Sequence, residues 1–374
     1  MQSDPTPTDP SRRQASSAAP AVRAEAARSP APPAPTTRIV LEQSGGLARK
    51  VLLWSLCMAL AISVLFNFSL FAKYQSYFQT NPSLEERFHS GNAEAETKVA
   101  VISVDGAILD GEGFVKSQVD QVREDEDVAA VVLRIESPGG LVSATDQIYH
   151  RLKKLAEERE IPLVVSIGGM AASGGYYVAM AVGDTPDVIY AEPTSWTGSI
   201  GVIIPHYDLS RLLAEWNVEN DSIKSHPWKN IGSMTREMTD EERALLQELV
   251  DDGFERFKTV IKSGRPKFRE DEAALVEIAT GQVFTTEQAI ANGLVDREGF
   301  LEDAVQRARE LAGLSEDQAR VVEYRHPPGL SDLLGVPTVS KDSSAVAHLL
   351  ELSTPRAYYM WTWLPPLATA ATTR

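Results

Sequence analysis

Hydrophobic positions fall along this chain in blocks of contrasting rhythm. From Val51 to Ala72 apolar side chains run on with no charge among them. At ~1.5 Å per residue such a helix spans ~30 Å, the hydrocarbon thickness of a bilayer. Shorter runs rich in Val and Ile follow at Lys98–Val104, Val128–Ile135 and Ile161–Ile167. They alternate little, which is the pattern of strands buried on both faces. Phe114–Arg123 and Ser143–Arg159 carry helical spacing between them, and 172–182 reads as a short buried helix. Asp187–Ala191 reads as another strand, and Thr197–Ile204 continues the sheet. Strands alternating with helices across glycine turns predict an α/β fold of βαβ units with a mainly parallel sheet, preceded by one transmembrane helix.

Beyond the sheet the rhythm becomes helical. Asp208–Trp216 is a short amphipathic helix, and a loop over Asp221–Ser233 follows. Thr239-Asp-Glu-Glu242 is a capping box that opens a helix over 240–262, with Leu245, Leu246, Leu249, Val250, Phe254 and Phe257 as its apolar positions. Thr286–Asn292 is a helix ended by Gly293, and Leu301–Leu311 is another. Past about 315 the pattern weakens: Ser343–Leu352 fits a helix, and the aromatic tail 357–366 either packs on the domain or lies at a membrane interface. The expected organisation is an N-terminal segment 1–50, an anchor 51–72, a linker 73–96, a catalytic domain 97–313 and a C-terminal extension 314–374.

Charge sharpens this picture. Residues 1–50 hold seven basic and four acidic groups, so in a chain of net charge −16 the remainder carries −19. A surface that acidic argues against a nucleic-acid partner. Residues 1–37, rich in Pro, Ala, Ser and Arg, lack the apolar surface to offset ordering and are expected to be disordered. A cleaved signal peptide is the competing reading of the apolar run, but fifty residues precede it, and Leu70-Phe-Ala72 lacks a small residue three positions before the cut. Arg49 and Lys50 flank its start, with five more arginines upstream. By the positive-inside rule the N-terminus is cytoplasmic and everything after Lys73 lies across the membrane. Cys57 is the single cysteine, so there is no intrachain disulfide.

The candidate chemistry centres on Gly168-Gly-Met-Ala-Ala-Ser-Gly-Gly-Tyr-Tyr177, small residues where a strand gives way to a helix. Ser173 sits there either as a nucleophile or as a serine capping a tight connection. Gly139-Gly140 and Gly198-Ser199 also fall near strand ends, where ligands gather in such sheets. A nucleophilic serine needs a base. His89, His150, His326 and His348 lie outside the glycine turns, and His206 and His226 have no carboxylate neighbour to orient them. A lysine serves when burial disfavours its ammonium form. Lys224 and Lys229, in the loop with Pro227, Trp228 and Ile231, are the candidates.

Several motifs occur together: Ser137-Pro-Gly-Gly140, Met170-Ala-Ala-Ser-Gly-Gly-Tyr-Tyr177, Thr197-Gly-Ser-Ile-Gly-Val202, the Lys224-to-Ser233 loop, Thr235-Arg-Glu-Met-Thr239, Gly281-Gln-Val-Phe284 and Gly293-Leu-Val-Asp296. In this order they resemble the signal peptide peptidase A family, also called protease IV, in its short single-repeat form, over about Val99–Ala308. The resemblance implies a Clp-protease/crotonase-like fold and a Ser–Lys dyad. Ser173 would be the nucleophile, Lys229 the general base and Ser199 the serine that orients it. Gly140 and the Ser173 N–H would form the oxyanion hole. It further implies a ring-shaped homo-oligomer with the dyad shared across subunits. The bilayer would be met through 51–72, and the substrates would be cleaved signal peptides at the bacterial inner membrane, on its periplasmic side. No cofactor or metal site is assigned. Two alternatives accompany this reading: a crotonase-type acyl-CoA enzyme, and a non-catalytic ring-forming membrane scaffold.

Overall fold

A computed structural model describes residues 46–78, 84–325 and 358–360. The disorder expected over 1–37 and the helix expected over Ser343–Leu352 fall outside the described residues. The chain divides into two compact units, Met1–Ala72 and Lys73–Arg374. The first holds most of α1 (Gly46–Phe78), whose stretch Arg49–Phe71 is long and apolar enough to cross a membrane and has no buried residue. It is the one such helix among the described residues.

The second unit is built on a sheet whose strands run β1 (Glu85–Gly91), β2 (Lys98–Asp105), β3 (Val128–Ser137), β4 (Gly139–Leu141), β5 (Leu163–Ala172), β6 (Ile189–Ala191), β7 (Trp196–Gly198), β8 (Val283–Thr285), β9 (Arg297–Glu298), β10 (Arg320–Arg325) and β11 (Tyr358–Met360). Nine strands form the main sheet in the order β1-β10-β2-β3-β5-β6-β9, with β7 added beside β5 and β8 beside β7. The pairs β10–β2, β2–β3, β3–β5, β5–β6, β5–β7 and β6–β9 are parallel, as the alternating pattern predicts. Val99, Ala100, Ile102, Val132, Leu133, Ile135, Val164, Val165 and Ile167 are fully buried, which is what runs of Val and Ile become between two layers. The remaining pair of strands, β4 and β11, forms a separate two-stranded antiparallel sheet.

The helices that position the site are α2 (Phe114–Glu124), α3 (Val142–Arg159), α4 (Gly174–Ala179), α5 (Ser210–Glu215) and α6 (Asp240–Gly264). Thr239 and Glu242 make both halves of the capping box that starts α6. Its second half is the buried half, at Phe257, Val260, Ile261 and Gly264, whereas Leu249 in its first half is 58% exposed.

Three expectations are corrected. The strand expected to end at Ile167 continues to Ala172, carried by parallel pairing of Met170–Ala172 on β7. Gly168 and Gly169 are therefore strand residues. Their missing side chains make room for Glu136, which accepts the Gly169 N–H at 2.8 Å and would collide with any Cβ at Gly168. Thr197–Ile204 does not continue the sheet, because Gly198 (φ 92) and Ser199 (φ 49) turn the chain out of it. Finally, strands lie on both sides of the expected 97–313 domain: β1, within the expected linker, pairs with β10, within the expected extension.

Candidate active site

Ser173 stands between the last residue of β5 and the first of α4, at φ 53 and ψ −112. That is a conformation a side-chain-bearing residue avoids, and it persists only where the surroundings hold it. Two hydrogen bonds do so. The Ser173 N–H donates to the Gly198 carbonyl at 2.7 Å, and the Ser173 carbonyl accepts from Tyr177 N at 2.9 Å. The first of these extends the β5–β7 register, in which Ala172 faces Gly198, and sets Ser173 beside Ser199. Ser199 is also at positive φ, with its N–H spent on the Gln282 carbonyl at 2.7 Å. Both serines are nearly closed off from solvent, at 1% and 6% exposure. Among the described residues neither hydroxyl has a hydrogen-bond partner.

The oxyanion donors differ from the pair expected. The Ser173 N–H is consumed by Gly198 and faces no ligand. The next amide, Gly174 N–H, opens α4 and has no acceptor inside the helix. Gly174 and Gly175 pack against the turn that ends β3: a Cβ on Gly174 would lie 2.8 Å from Thr145 Oγ1 and 3.1 Å from Gly139 Cα, and one on Gly175 2.8 Å from the Ser137 carbonyl. Ser137 holds that turn by donating to the Gly106 carbonyl at 2.6 Å and accepting the Gly139 N–H at 3.1 Å. Gly140 is buried, bridged to Ile108 on one side and paired with Tyr359 of β11 on the other. The Gly140 and Gly174 backbones thus approach one another beside Ser173.

Lys229 lies elsewhere. It is exposed, in a single helical turn over Pro227–Asn230, and no hydrogen bond or ion pair joins it to either serine. Trp228, expected to shield it, is 51% exposed. What the structure does provide is a mount for this loop. Arg236 donates to Asn230 at its carbonyl (3.0 Å) and its Oδ1 (3.1 Å), and it also pairs with the Glu242 carboxylate at the start of α6. Lys224 donates to the same Asn230 Oδ1 at 3.0 Å, so the other candidate lysine is a strut of the loop. Arg236 and Glu242 both fall in or beside the Thr235–Thr239 motif, and the capping box was the signal that could have singled them out. Around the loop, Ile203, Tyr207, Leu212, Trp216, Ile223 and Trp228 are exposed.

Residues 155–315 match Peptidase family S49. A Synechocystis sp. relative named as a protease is 40% identical over 233 residues, 62% of this chain and 81% of that protein. The chain belongs to peptidase family S49. A signal peptide peptidase SppA of Enterococcus faecium is 32% identical over 67% of this chain and 73% of its own length. Protease 4 of Salmonella typhi is 37% identical over 65% of this chain, which spans only 39% of that longer protein. A solved membrane-bound stomatin-specific protease covers 64% of this chain at 19% identity and a TM-score of 0.40, too distant to bear on the site. This S49 peptidase is accordingly a serine peptidase acting on peptides, which displaces the acyl-CoA and scaffold alternatives.

Proposed function

We propose that the chain is a membrane-anchored serine endopeptidase in which Ser173 is the nucleophile, Lys229 the general base and Ser199 the residue that orients the lysine. The observation that carries this reading is the backbone of Ser173. A non-glycine residue held at φ 53 at a strand–helix junction, beside a second serine at positive φ, is strain kept for a purpose. Ser173 Oγ attacks the scissile carbonyl carbon and its proton passes to the neutral amine of Lys229. The N–H groups of Gly140 and Gly174 hold the oxyanion, a contribution of ~3–4 kcal/mol per donor in comparable enzymes. The lysine then returns the proton to the leaving amine, and water releases the acyl group by the same route. Remnant signal peptides are the proposed substrates, with α1 as the anchor and the peptidase unit on the extracytoplasmic side.

The exposed position of Lys229 fits a site completed by a second copy of the chain. Its loop carries a contiguous set of large apolar side chains open to solvent, the character of a surface that meets another protein. Mixing Ser173→Ala and Lys229→Ala chains, each inactive alone, tests this directly. Peptide hydrolysis regained in mixed assemblies supports a shared site, and inactive mixed assemblies of verified composition would place both groups in one subunit.

A further inference from the structure

Tyr359 is fully buried, although it belongs to a strand of three residues far along the chain. Its ring stacks on Tyr177 with centroids 5.1 Å apart and meets Phe257 at 4.7 Å. Its hydroxyl donates to the Gly253 carbonyl at 2.7 Å. Tyr177 is one turn of α4 beyond Ser173, and Phe257 and Gly253 come from α6, so this pocket opens beside the candidate nucleophile. The backbone of Tyr359 is placed just as specifically. It lies antiparallel to β4, opposite Gly140. A Cβ on Gly174 would lie 3.0 Å from the Tyr359 carbonyl oxygen, and a Cβ on Gly139 would collide with that oxygen while standing 2.6 Å from Gly174 N. One residue therefore presents its carbonyl to the glycines beside Ser173, its main chain to an edge strand and its side chain to a fitted pocket. A serine peptidase needs all three from the residue on the acyl side of the bond it cuts.

We propose that the pocket walled by Tyr177, Phe257 and the Gly253 carbonyl selects tyrosine on the acyl side of the scissile bond, and that Tyr359 is a resident occupant that substrate must displace. The inference rests on Ser173 being the nucleophile. Aromatic walls favour a flat ring, and a single acceptor at the far end suits a phenol hydroxyl. Gly253 lies inside α6, so phenylalanine loses one hydrogen bond and little else, a discrimination of roughly tenfold. A charged side chain would be buried against the rings with no partner and is rejected far more strongly.

The test uses the full-length chain and peptides that differ only at the residue before the cleaved bond. Expected is a kcat/KM order of Tyr over Phe over Leu, with Lys at least about a hundredfold below Tyr. Tyr359→Ala lowers KM on the Tyr peptide severalfold at unchanged kcat, because a competing occupant is removed. Tyr359→Phe falls between it and the wild type. Mapping the bonds cut in a random peptide mixture gives the same preference without any substitution. A flat profile, with Ser173→Ala inactive, overturns the pocket. A preserved preference with Tyr359→Ala at unchanged or raised KM overturns the occupant. Activity that survives Ser173→Ala instead removes the nucleophile reading beneath both.

Discussion

Arg236 holds Asn230 by both its carbonyl and its side chain, and through that grip the loop bearing Lys229 is bolted to the first turn of α6. Arg236→Ala removes the bolt without touching Lys229. Hydrolysis should fall by about tenfold, mainly in kcat, a tenth of the barrier effect of losing a general base outright. Arg236→Lys should rescue little, since one ammonium cannot span Asn230 and the Glu242 carboxylate as the planar fork does. Steady-state kinetics of the three proteins checks this.

Glu242 gives the same junction a pH signature. The hydrogen bond from Arg236 holds its carboxyl below the ordinary value of 4.5, outweighing burial, which pushes the other way. A carboxyl whose folded pKa is depressed contributes stability above its unfolded pKa and loses it as pH falls through the folded one. The Tm gap between wild type and Glu242→Gln should therefore be steady from about pH 5 to 8 and close below about pH 4. A gap unchanged at pH 3 would remove the ion pair as its cause.

The two lysines of the loop should separate cleanly. Lys229→Ala is expected to lose at least ~10²-fold in kcat/KM, the low end of general-base effects. Lys224→Ala gives up one exposed hydrogen bond to Asn230 and should lose only a few-fold. Equal losses would mean that the loop matters as a whole and that neither lysine is the base.

Ser173 should be more costly to the fold than the residue that could replace it. At φ 53, glycine relaxes where serine and alanine remain strained. Ser173→Gly and Ser173→Ala should both be inactive. The glycine variant should be the more stable by ~1 kcal/mol, the strain relieved less the entropy glycine brings to the unfolded chain. Chemical denaturation of the two variants measures the difference, and a less stable glycine variant would contradict the strain argument.

What could be read from the sequence follows from where its physics is local. The strands β2, β3 and β5 announce themselves because burial on both faces demands unbroken Val and Ile. The edge strand β1, Glu-Glu-Arg-Phe-His-Ser-Gly, carries the charges that protect an exposed edge and so reads as linker, and its partner β10 shares that disguise. Gly168-Gly169 resembles a turn because a glycine that yields to a neighbouring carboxylate looks the same as one that bends the chain. Within the site, the motifs singled out Ser173 and Ser199, which the structure sets side by side, and Lys229, which it leaves apart from both. Tyr359 belonged to a tail read only as aromatic, since its partners Tyr177, Gly253 and Phe257 lie more than a hundred residues away.

The strand β11 is covalently part of the molecule whose β4 it covers. A segment held on its own chain meets its seat at an effective concentration set by the connecting residues, in the millimolar range for short flexible connections, whatever the amount of protein present. Dilution therefore cannot strip it from the cleft, and neither can washing. Peptides must outcompete it by abundance or fit, so hydrolysis should begin sharply only where substrate accumulates, as it would in a crowded layer of membrane-bound fragments.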